Sequence, residues 1–258
     1  MGDHTLRMSV ILITKNEAAM IGRALQSVAW ADEIIVVDSG STDNTVEICR
    51  QAGAKVLVTA DWPGFGPQKN RALALATGDW VLSLDADEWV TTEAQREIRH
   101  ALAHAGSTQG FRLPRRSSYC GHFMRHGGWW PDHVLRLFRR EQGRFSDDLV
   151  HERLMVDGPI GTLQAPLLHE TYRDLDEVLD KVNAYSAAGA RMAFAAGRRT
   201  SLGGAVARGA WAFFRTYILR LGLLDGPAGF MLAVSNAETV YYKYRKLALL
   251  CRAGGPKP

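Results

Sequence analysis

The chain has 258 residues, of which 47% are hydrophobic and 22% charged, with a net charge of +4 and three widely spaced cysteines. This length and composition fit one large or two small globular domains, and they exclude disordered, collagen-like and disulfide-scaffold proteins. An odd number of distant cysteines indicates a reducing compartment, and the start MGDHTLRMSVILIT, with an acidic residue and no cleavage site, predicts no secretory signal.

The first hundred residues alternate strand and helix patterns. Met8–Thr14 and Glu33–Asp38 are continuous apolar runs, as expected of strands that are buried on both faces. Shorter strands are predicted at Lys55–Val58 and Trp80–Leu84. Helices are predicted from Ala18 to Val28, from a cap at Ser41 or Asp43 to Gly53, from Gln68 to Thr77 with Gly78 as the cap, and from Thr92 onward. This alternation predicts an α/β fold with a doubly wound, mostly parallel sheet.

The rest of the chain has a different pattern. Short mixed strands are predicted between Gly110 and His169, followed by a helix over Asp174–Ala196. Two amphipathic helices are predicted between Arg199 and Leu250, with a break at Asp225-Gly-Pro. The fold class is therefore an α/β domain with a C-terminal amphipathic helical extension.

The C-terminal segment carries the positive charge. From Arg198 onward there are ten Lys or Arg residues and two Asp or Glu residues, whereas residues 1–197 hold 21 basic and 25 acidic side chains. A basic segment rich in aromatic residues is typical of proteins that meet nucleic acid or an anionic membrane. No stretch reaches the roughly 18 uncharged apolar residues of a membrane-spanning helix.

Polar clusters follow three of the predicted strands, at the edge of the sheet where α/β proteins bind their ligands. Asp85 and Asp87 end the fourth strand, and the two-residue period puts both carboxylates on one face. Such a pair can hold Mg²⁺ or Mn²⁺ together with a diphosphate, although isolated Asp-x-Asp sequences are usually solvated turns. Asp38 ends the second strand too early to cap the next helix, so we expect it to accept a hydrogen bond from a base or ribose.

Three segments, SVILITKNEAAMIGRALQSV, EIIVVDSGSTDNTVEICRQAGAKV and QKNRALALATGDWVLSLDADEWV, resemble the nucleotide-binding half of a family 2 glycosyltransferase with the GT-A fold. The resemblance covers residues 6–105. Later segments, in residues 127–155 and 210–245, are similar to bacterial glucosyltransferases that act on the inner-core heptose of lipopolysaccharide. The resemblance implies a nucleotide-sugar-binding half in residues 1–105, an acceptor and catalytic half in 106–197, and a basic helical tail in 198–258.

The family motifs imply a role for several individual residues. The positions that match nucleotide-sugar contacts are Thr14, Asn16, Glu17, Asp38, Gln68, Lys69, Arg71 and Asp85. Asp85 and Asp87 match the metal motif, and His169 is an additional candidate for a contact with the metal or a phosphate. Glu152 matches the carboxylate that activates the acceptor hydroxyl. The chain lacks the Glu-Asp pair common at that position, which leaves Asp132 and Asp148 as alternative bases.

The implied reaction is an inverting transfer of glucose from UDP-glucose to a lipid-linked heptose, assisted by Mg²⁺ or Mn²⁺. We expect a cytoplasmic protein that is peripheral on the inner face of the inner membrane. Trp211, Phe213, Phe214, Tyr217, Ile218 and Leu221 would supply the apolar surface, with Arg208, Arg215 and Arg220 at its border. The alternative for these helices is packing on the catalytic domain.

The sequence also bears on four other functions. A sugar-nucleotide pyrophosphorylase would need a glycine-rich basic loop directly after the first strand, where this chain has Lys15-Asn-Glu. We expect no nucleic-acid partner, because the basic residues lie on amphipathic helices without a recognised binding motif. A family 2 transferase for another cell-envelope glycan, or a non-catalytic scaffold at the membrane surface, remains an alternative.

Overall fold

The computed structural model describes residues 6–147 and 152–253 of the chain. The strands are β1 (Met8–Thr14), β2 (Glu33–Asp38), β3 (Lys55–Val58), β4 (Trp80–Ser83), β5 (Glu88–Val90), β6 (Gly110–Tyr119), β7 (His122–Phe123), β8 (Asp132–Arg139), β9 (Gly143–Phe145), β10 (Leu154–Val156), β11 (Ile160–Thr162) and β12 (Leu167–Tyr172). The helices are α1 (Ile21–Ser27), α2 (Thr45–Gln51), α3 (Phe65–Ala74), α4 (Thr92–Ala103), α5 (Leu175–Ala195), α6 (Leu202–Phe214) and α7 (Gly226–Ala253). Short 3₁₀ turns lie at Arg140–Gln142 and Gly222–Asp225, and a π-helical turn lies at Arg215–Leu219.

One sheet organises the strands in the order β3-β2-β1-β4-β8-β6-β12-β5. The first four run parallel, and β8 then pairs antiparallel with both β4 and β6. β11 and β7 also pair with β6, whereas β9 and β10 form a separate antiparallel pair. The parallel strands with their connecting helices confirm the predicted α/β class, and the mixed strands fall where the sequence changes its pattern.

The apolar runs of β1 and β2 arise because both faces of the sheet are covered. Alternate residues, Val10 and Val36 among them, point into a core shared with α1 and α4. The residues between them, such as Ile11 and Ile35, point into a second core shared with α3. Every residue of β1 and β2 is therefore buried, which explains why neither strand shows a polar face.

The chain divides into two compact units. The first consists of Met1–Arg115 and Asp132–His169, and the second of Arg116–Pro131 and Glu170–Pro258. These units have other boundaries than the three predicted segments, because Asp132–His169 contributes strands to the first unit and α5 packs with α7 in the second. Within the second unit, Tyr119, Met124, Val178 and Leu232 form a buried cluster.

No helix in the described ranges is by itself long and apolar enough to cross a membrane. By length and composition, Leu202–Leu219 and Gly222–Arg252 pass such a test only as a pair, and the pair is bent by 70°.

Helix α3 differs from its prediction at both ends. It begins at Phe65, inside the predicted Pro/Gly loop, because Pro67 lies in the first turn, where a missing N–H costs no helical hydrogen bond. It ends at Ala74, so Gly78 is not its cap. Gly78 is needed for close packing instead, since a Cβ there would lie 2.8 Å from the backbone nitrogen of Ser9.

The cap of α2 also differs from its prediction. Asn44 is the N-cap residue and makes no side-chain capping bond. Asp43, one position earlier, accepts hydrogen bonds from the backbone nitrogen and hydroxyl of Thr45. Ser41 instead contacts Asp38 and accepts a hydrogen bond from the Asn16 backbone nitrogen, so it belongs to the loop before the helix.

Glu33, at the start of β2, is a buried carboxylate that joins three segments. It accepts hydrogen bonds from Thr77 Oγ1 at 2.8 Å and from the Gly78 backbone nitrogen at 3.2 Å, and Lys55 Nζ lies 2.8 Å away. Burial by itself raises the pKa of Glu33, but these donors outweigh it and lower the pKa from 4.5 to about 2. The ionised form therefore stabilises the fold.

We expect Glu33→Gln to lower the free energy of unfolding at pH 7 by about 3 kcal/mol, the value of this pKa shift. The folded-state pKa is depressed, so the contribution is present above pH 4.5 and is lost as the pH falls towards about 2. Urea unfolding at pH 7 and at about pH 3 should show a smaller difference between variant and wild type at the lower pH. Glu47→Gln, at an exposed position of α2, is the matched control. An equal difference at both pH values would contradict the assignment.

Candidate active site

A cavity of about 540 Å³ opens in the first unit, beyond the carboxyl ends of β1 and β4. It is lined by Ile13, Thr14, Lys15, Glu17, Trp62, Phe65, Lys69, Asp85, Ala86, Asp87, Glu152 and His169. Seven predicted site residues are among them: Thr14, Glu17, Lys69, Asp85, Asp87, Glu152 and His169. The fold thus brings residues that are up to 155 positions apart in sequence into one cavity at the predicted edge of the sheet.

Asp38 and Asn16 do not line this cavity. Their side chains form hydrogen bonds within the loops that follow β1 and β2. The Asp38 carboxylate is buried and accepts hydrogen bonds from the backbone nitrogens of Gly40 (3.0 Å) and Ser41 (2.8 Å). Asn16 has a left-handed backbone with a φ of 56°, and its Oδ1 accepts from the Thr42 nitrogen at 2.8 Å. Their contact with a nucleotide stays a prediction, whereas their structural role is to order these two loops.

Gln68 and Arg71, on α3, likewise lie outside the cavity lining. The buried Gln68 donates from Nε2 to Ser39 Oγ at 2.9 Å and to Thr59 Oγ1 at 2.8 Å. Arg71 forms an ion pair with Asp61, with Nη2 and Oδ2 2.7 Å apart. These contacts connect α3 to the loops that follow β2 and β3.

The side chain of Lys69 connects the acidic residues of the cavity. It is only 5% exposed, and its Nζ lies 3.0 Å from Asp85 Oδ1 and 3.1 Å from Glu152 Oε1. The predicted base and the first acid of the predicted metal motif therefore share one cation. A charge so placed can also contact a phosphate that enters the cavity.

Arg136, on β8, forms an ion pair with Asp85. Its guanidinium contacts the Asp85 carboxylate and lies 2.7 Å from Glu88 Oε1, and the side chain is 10% exposed. Burial alone would raise the pKa of Asp85, but the charges of Arg136 and Lys69 outweigh it and hold this pKa below its ordinary range. Burial tends to lower the pKa of Arg136, and the two acidic neighbours outweigh it and raise this pKa. Both groups are therefore charged.

Asp87 and His169 form the other polar pair of the cavity. His169 Nε2 lies 3.3 Å from Asp87 Oδ2, with side-chain exposures of 15% and 37%. The pairing of β12 with β5 places His169 opposite Glu88, one residue after Asp87. The antiparallel pairing of these strands thus brings an imidazole to the end of the Asp-x-Asp motif.

The chemistry of this pair fits a divalent cation. The 3.3 Å between Asp87 Oδ2 and His169 Nε2 fits a direct hydrogen bond, and it is also close to the roughly 3 Å that separates adjacent ligands of one divalent cation. Among the residues that the structure describes, no group of three or more His, Cys, Asp or Glu side chains is arranged around one metal position. A cation held here would need further ligands, which diphosphate oxygens and water usually supply for Mg²⁺.

The two alternative bases have different positions. Asp132 does not line the cavity and is paired with Arg115, whose Nη2 lies 2.6 Å from its Oδ2. Asp148 lies outside the described residues. Glu152 is therefore the candidate base that this structure places in the cavity.

Arg136, Trp62 and Phe65 are site residues beyond those that the sequence predicts. Trp62 and Phe65 line the cavity, are 45% and 47% exposed, and contact each other edge to face with ring centroids 4.9 Å apart. The signal was present in the WPGFGP segment, where two aromatic residues flank a Pro-Gly turn. An arginine inside the apolar run VLRLF was the corresponding signal for a buried charge.

Comparisons with known proteins extend this description. Residues 9–151 match the family described as Glycosyl transferase family 2. The chain is 30% identical to the lipopolysaccharide core biosynthesis glycosyltransferase LpsC of Rhizobium meliloti, over 94% of this chain and 92% of that protein. It is also 30% identical to an uncharacterized glycosyltransferase of Rickettsia felis, over 93% of this chain and 89% of that one.

Among solved structures, the chain has the fold of S. aureus TarS 1–349, crystallised in complex with UDP. The TM-score is 0.51 at 17% sequence identity, and the alignment covers 97% of this chain and 92% of that one. This similarity confirms the predicted α/β fold of the GT-A type. The match to the family model over residues 9–151, which is more than half of the chain, confirms the predicted family. The protein belongs to glycosyl transferase family 2.

Proposed function

We propose that the protein transfers glucose from UDP-glucose, with inversion, to a lipid-linked heptose of the lipopolysaccharide inner core. The observation that carries the proposal is the cavity in which Glu152 faces the Asp85-Ala86-Asp87 motif, with Lys69 between them. Similarity to LpsC, whose name includes lipopolysaccharide core biosynthesis, supports the acceptor class. UDP is bound in the TarS structure, and we extend this nucleotide to the present chain as part of the proposal.

The donor diphosphate would lie between the cationic and acidic side chains of the cavity. Lys69 is placed to contact a phosphate oxygen, and the ion pair with Arg136 keeps Asp85 ionised. Asp87 and His169 would hold a divalent cation, with Asp85 beside them, and a bound Mg²⁺ or Mn²⁺ would stabilise the negative charge on the leaving diphosphate. The exposed rings of Trp62 and Phe65 offer apolar surface for a nucleoside or a sugar at the same cavity.

Glu152 is the proposed general base. The acceptor hydroxyl would lose its proton to the Glu152 carboxylate while its oxygen attacks the anomeric carbon. The bond from that carbon to the diphosphate oxygen breaks in the same displacement, and UDP leaves with the electron pair. Because attack and departure occur on opposite faces, an α-linked donor gives a β-linked product.

The membrane location belongs to the same proposal. A lipid-linked acceptor would be reached from the cytoplasmic face of the inner membrane, where we place the protein as a peripheral enzyme. The basic, aromatic C-terminal segment supports this location, since such segments favour anionic leaflets.

The proposal is tested by incubating the purified protein with UDP-glucose, UDP-galactose and UDP-N-acetylglucosamine in turn. The acceptors are defined core saccharides with and without heptose, and mass spectrometry identifies the product. We expect one hexose to be added from UDP-glucose only when heptose is present. Transfer to a core saccharide without heptose would replace the acceptor in the proposal. No transfer from any of the three UDP-sugars would contradict the proposal and favour the scaffold alternative.

A further inference from the structure

The segment Trp211–Phe230, which we term the elbow, turns the chain between α6 and α7. It contains the π-helical turn, a left-handed Leu221 with a φ of 56°, and the 3₁₀ turn Gly222–Asp225. Eight of its large apolar side chains are exposed, each between 40% and 59%: Trp211, Phe214, Ile218, Leu219, Leu221, Leu223, Leu224 and Phe230. A cluster of large exposed apolar side chains in one short segment marks an interaction surface, unlike isolated exposed leucines.

The exposed apolar surface differs from the predicted one in two ways. Phe213 and Tyr217, which we expected on it, pack against Phe230 with ring centroids 5.7 Å apart in both cases and are only partly exposed. Leu219 and Leu224, which are not on the predicted surface, are the most exposed large apolar residues of the elbow. The break between the helices therefore carries the apolar surface, more than the helix faces do.

Contacts within the second unit fix the backbone of the turn that exposes Leu219 and Leu224. The buried Asp225 carboxylate accepts hydrogen bonds from the backbone nitrogens of Arg125 and His126, the latter at 2.8 Å. The Gly127 nitrogen donates to the Arg220 carbonyl at 2.8 Å. Gly229 packs so closely on Gly222 that a Cβ there would lie 1.8 Å from the Gly222 carbonyl oxygen. Both ends of the turn are fixed, so the exposure of the leucines is part of the folded structure.

The exposed charges between Leu202 and Phe230 are all positive. Between Leu202 and Phe230 the sequence has one acidic residue, Asp225, and its carboxylate is buried. Arg208, Arg215 and Arg220 in the same stretch are exposed. Apolar side chains bordered by arginines, without exposed acids, are complementary to a lipid headgroup region that carries negative charge.

A second copy of the chain is a poorer partner for this surface. A two-fold interface would bring the same three arginines of both copies together, and the elbow offers no exposed carboxylate to pair with them. An anionic leaflet supplies the counter-charge and an apolar phase at the same boundary.

We propose that the elbow inserts its leucines and aromatic rings into the headgroup boundary of an anionic leaflet and docks the protein there. The proposal rests on the proposed function only for the choice of the bacterial inner membrane as the natural surface.

Vesicle flotation of the full-length protein tests this docking. The wild type should float with vesicles of phosphatidylglycerol and phosphatidylethanolamine and much less with phosphatidylcholine vesicles. Leu219→Glu/Leu224→Glu should lower binding about tenfold or more, because it removes two apolar anchors and adds negative charge. Arg215→Gln should lower binding several-fold and weaken its dependence on salt.

Matched controls separate docking from folding. Tyr185→Glu/Met192→Glu changes two apolar residues of α5 that are 61% and 73% exposed, and it should bind vesicles like the wild type. Circular dichroism melting should give the same Tm for both double variants and the wild type. If the elbow variant floats as well as the wild type, or if light scattering shows that it only disrupts self-association, the proposal is wrong.

Failure of docking and failure of the proposed function have different signatures. With a water-soluble core saccharide as acceptor, the elbow variant should turn over at the wild-type rate. A wild type that floats but transfers no sugar would contradict the proposed function and leave the docking proposal intact.

Discussion

Asp87→Asn should lower sugar transfer by about 10³-fold or more, the largest effect that we expect from a single substitution. Asp87 lines the cavity beside His169, and their facing atoms are 3.3 Å apart, a spacing that suits two ligands of one divalent cation. The amide keeps the shape of the side chain and loses the charge. The negative charge that develops on the diphosphate would then lack its stabilising cation.

The binding of UDP provides a readout besides activity. Calorimetric titration with UDP in the presence of Mn²⁺ should show weaker binding for Asp87→Asn, with little difference between variant and wild type after chelation. Asp157→Asn, an exposed position outside the cavity, is the control and should behave like the wild type. Wild-type activity that survives complete chelation unchanged would show that the assigned metal role is wrong.

Glu152→Gln should lower turnover by roughly 10²-fold or more while leaving donor binding nearly intact. The amide oxygen can still accept the hydrogen bond that Lys69 now donates to Glu152 Oε1 at 3.1 Å, so the cavity should keep its shape. The amide cannot take a proton from the acceptor hydroxyl, and the loss should therefore appear in kcat. Steady-state kinetics with calorimetry of UDP binding separates the two effects.

Asp132→Asn is the matched comparison for the base. Asp132 lies outside the cavity lining and is held by Arg115, so its replacement should change kcat much less than that of Glu152. If Asp132→Asn lowers turnover 10²-fold at an unchanged Tm, and Glu152→Gln does not, the base has been assigned to the wrong carboxylate.

The parallel part of the fold could be predicted because its physical causes are local. β1, β2 and β3 match their predicted bounds. For β1 and β2 the cause is cover on both faces, which requires a continuous apolar run, whereas β3 is a short and largely exposed edge strand. The start of α3 could not be predicted from its Pro/Gly composition, because the position of Pro67 in the first turn makes proline acceptable there. Gly78 serves close packing and not capping, and its partner Ser9 is 69 residues away, too far for a local pattern to indicate.

The site was predictable to the extent that its residues end strands or belong to family motifs. Asp85, Asp87 and Glu152 lie together in the cavity, as the motifs imply. Arg136 has no local signal for this role, because its partners Asp85, after β4, and Glu88, on β5, are 51 and 48 residues away and only the folded sheet brings them together. Trp62 and Phe65 stand out in the sequence as two aromatic residues beside a Pro-Gly pair, but the cavity that they line forms only when distant segments meet in the fold.

The anomeric configuration of the product tests the central claim most directly. The purified protein is supplied with α-linked UDP-glucose and a heptose-containing core saccharide, and the new linkage is assigned by proton NMR. A single displacement with Glu152 as base predicts a β-glucosyl linkage to heptose. An α-glucosyl product would contradict the account.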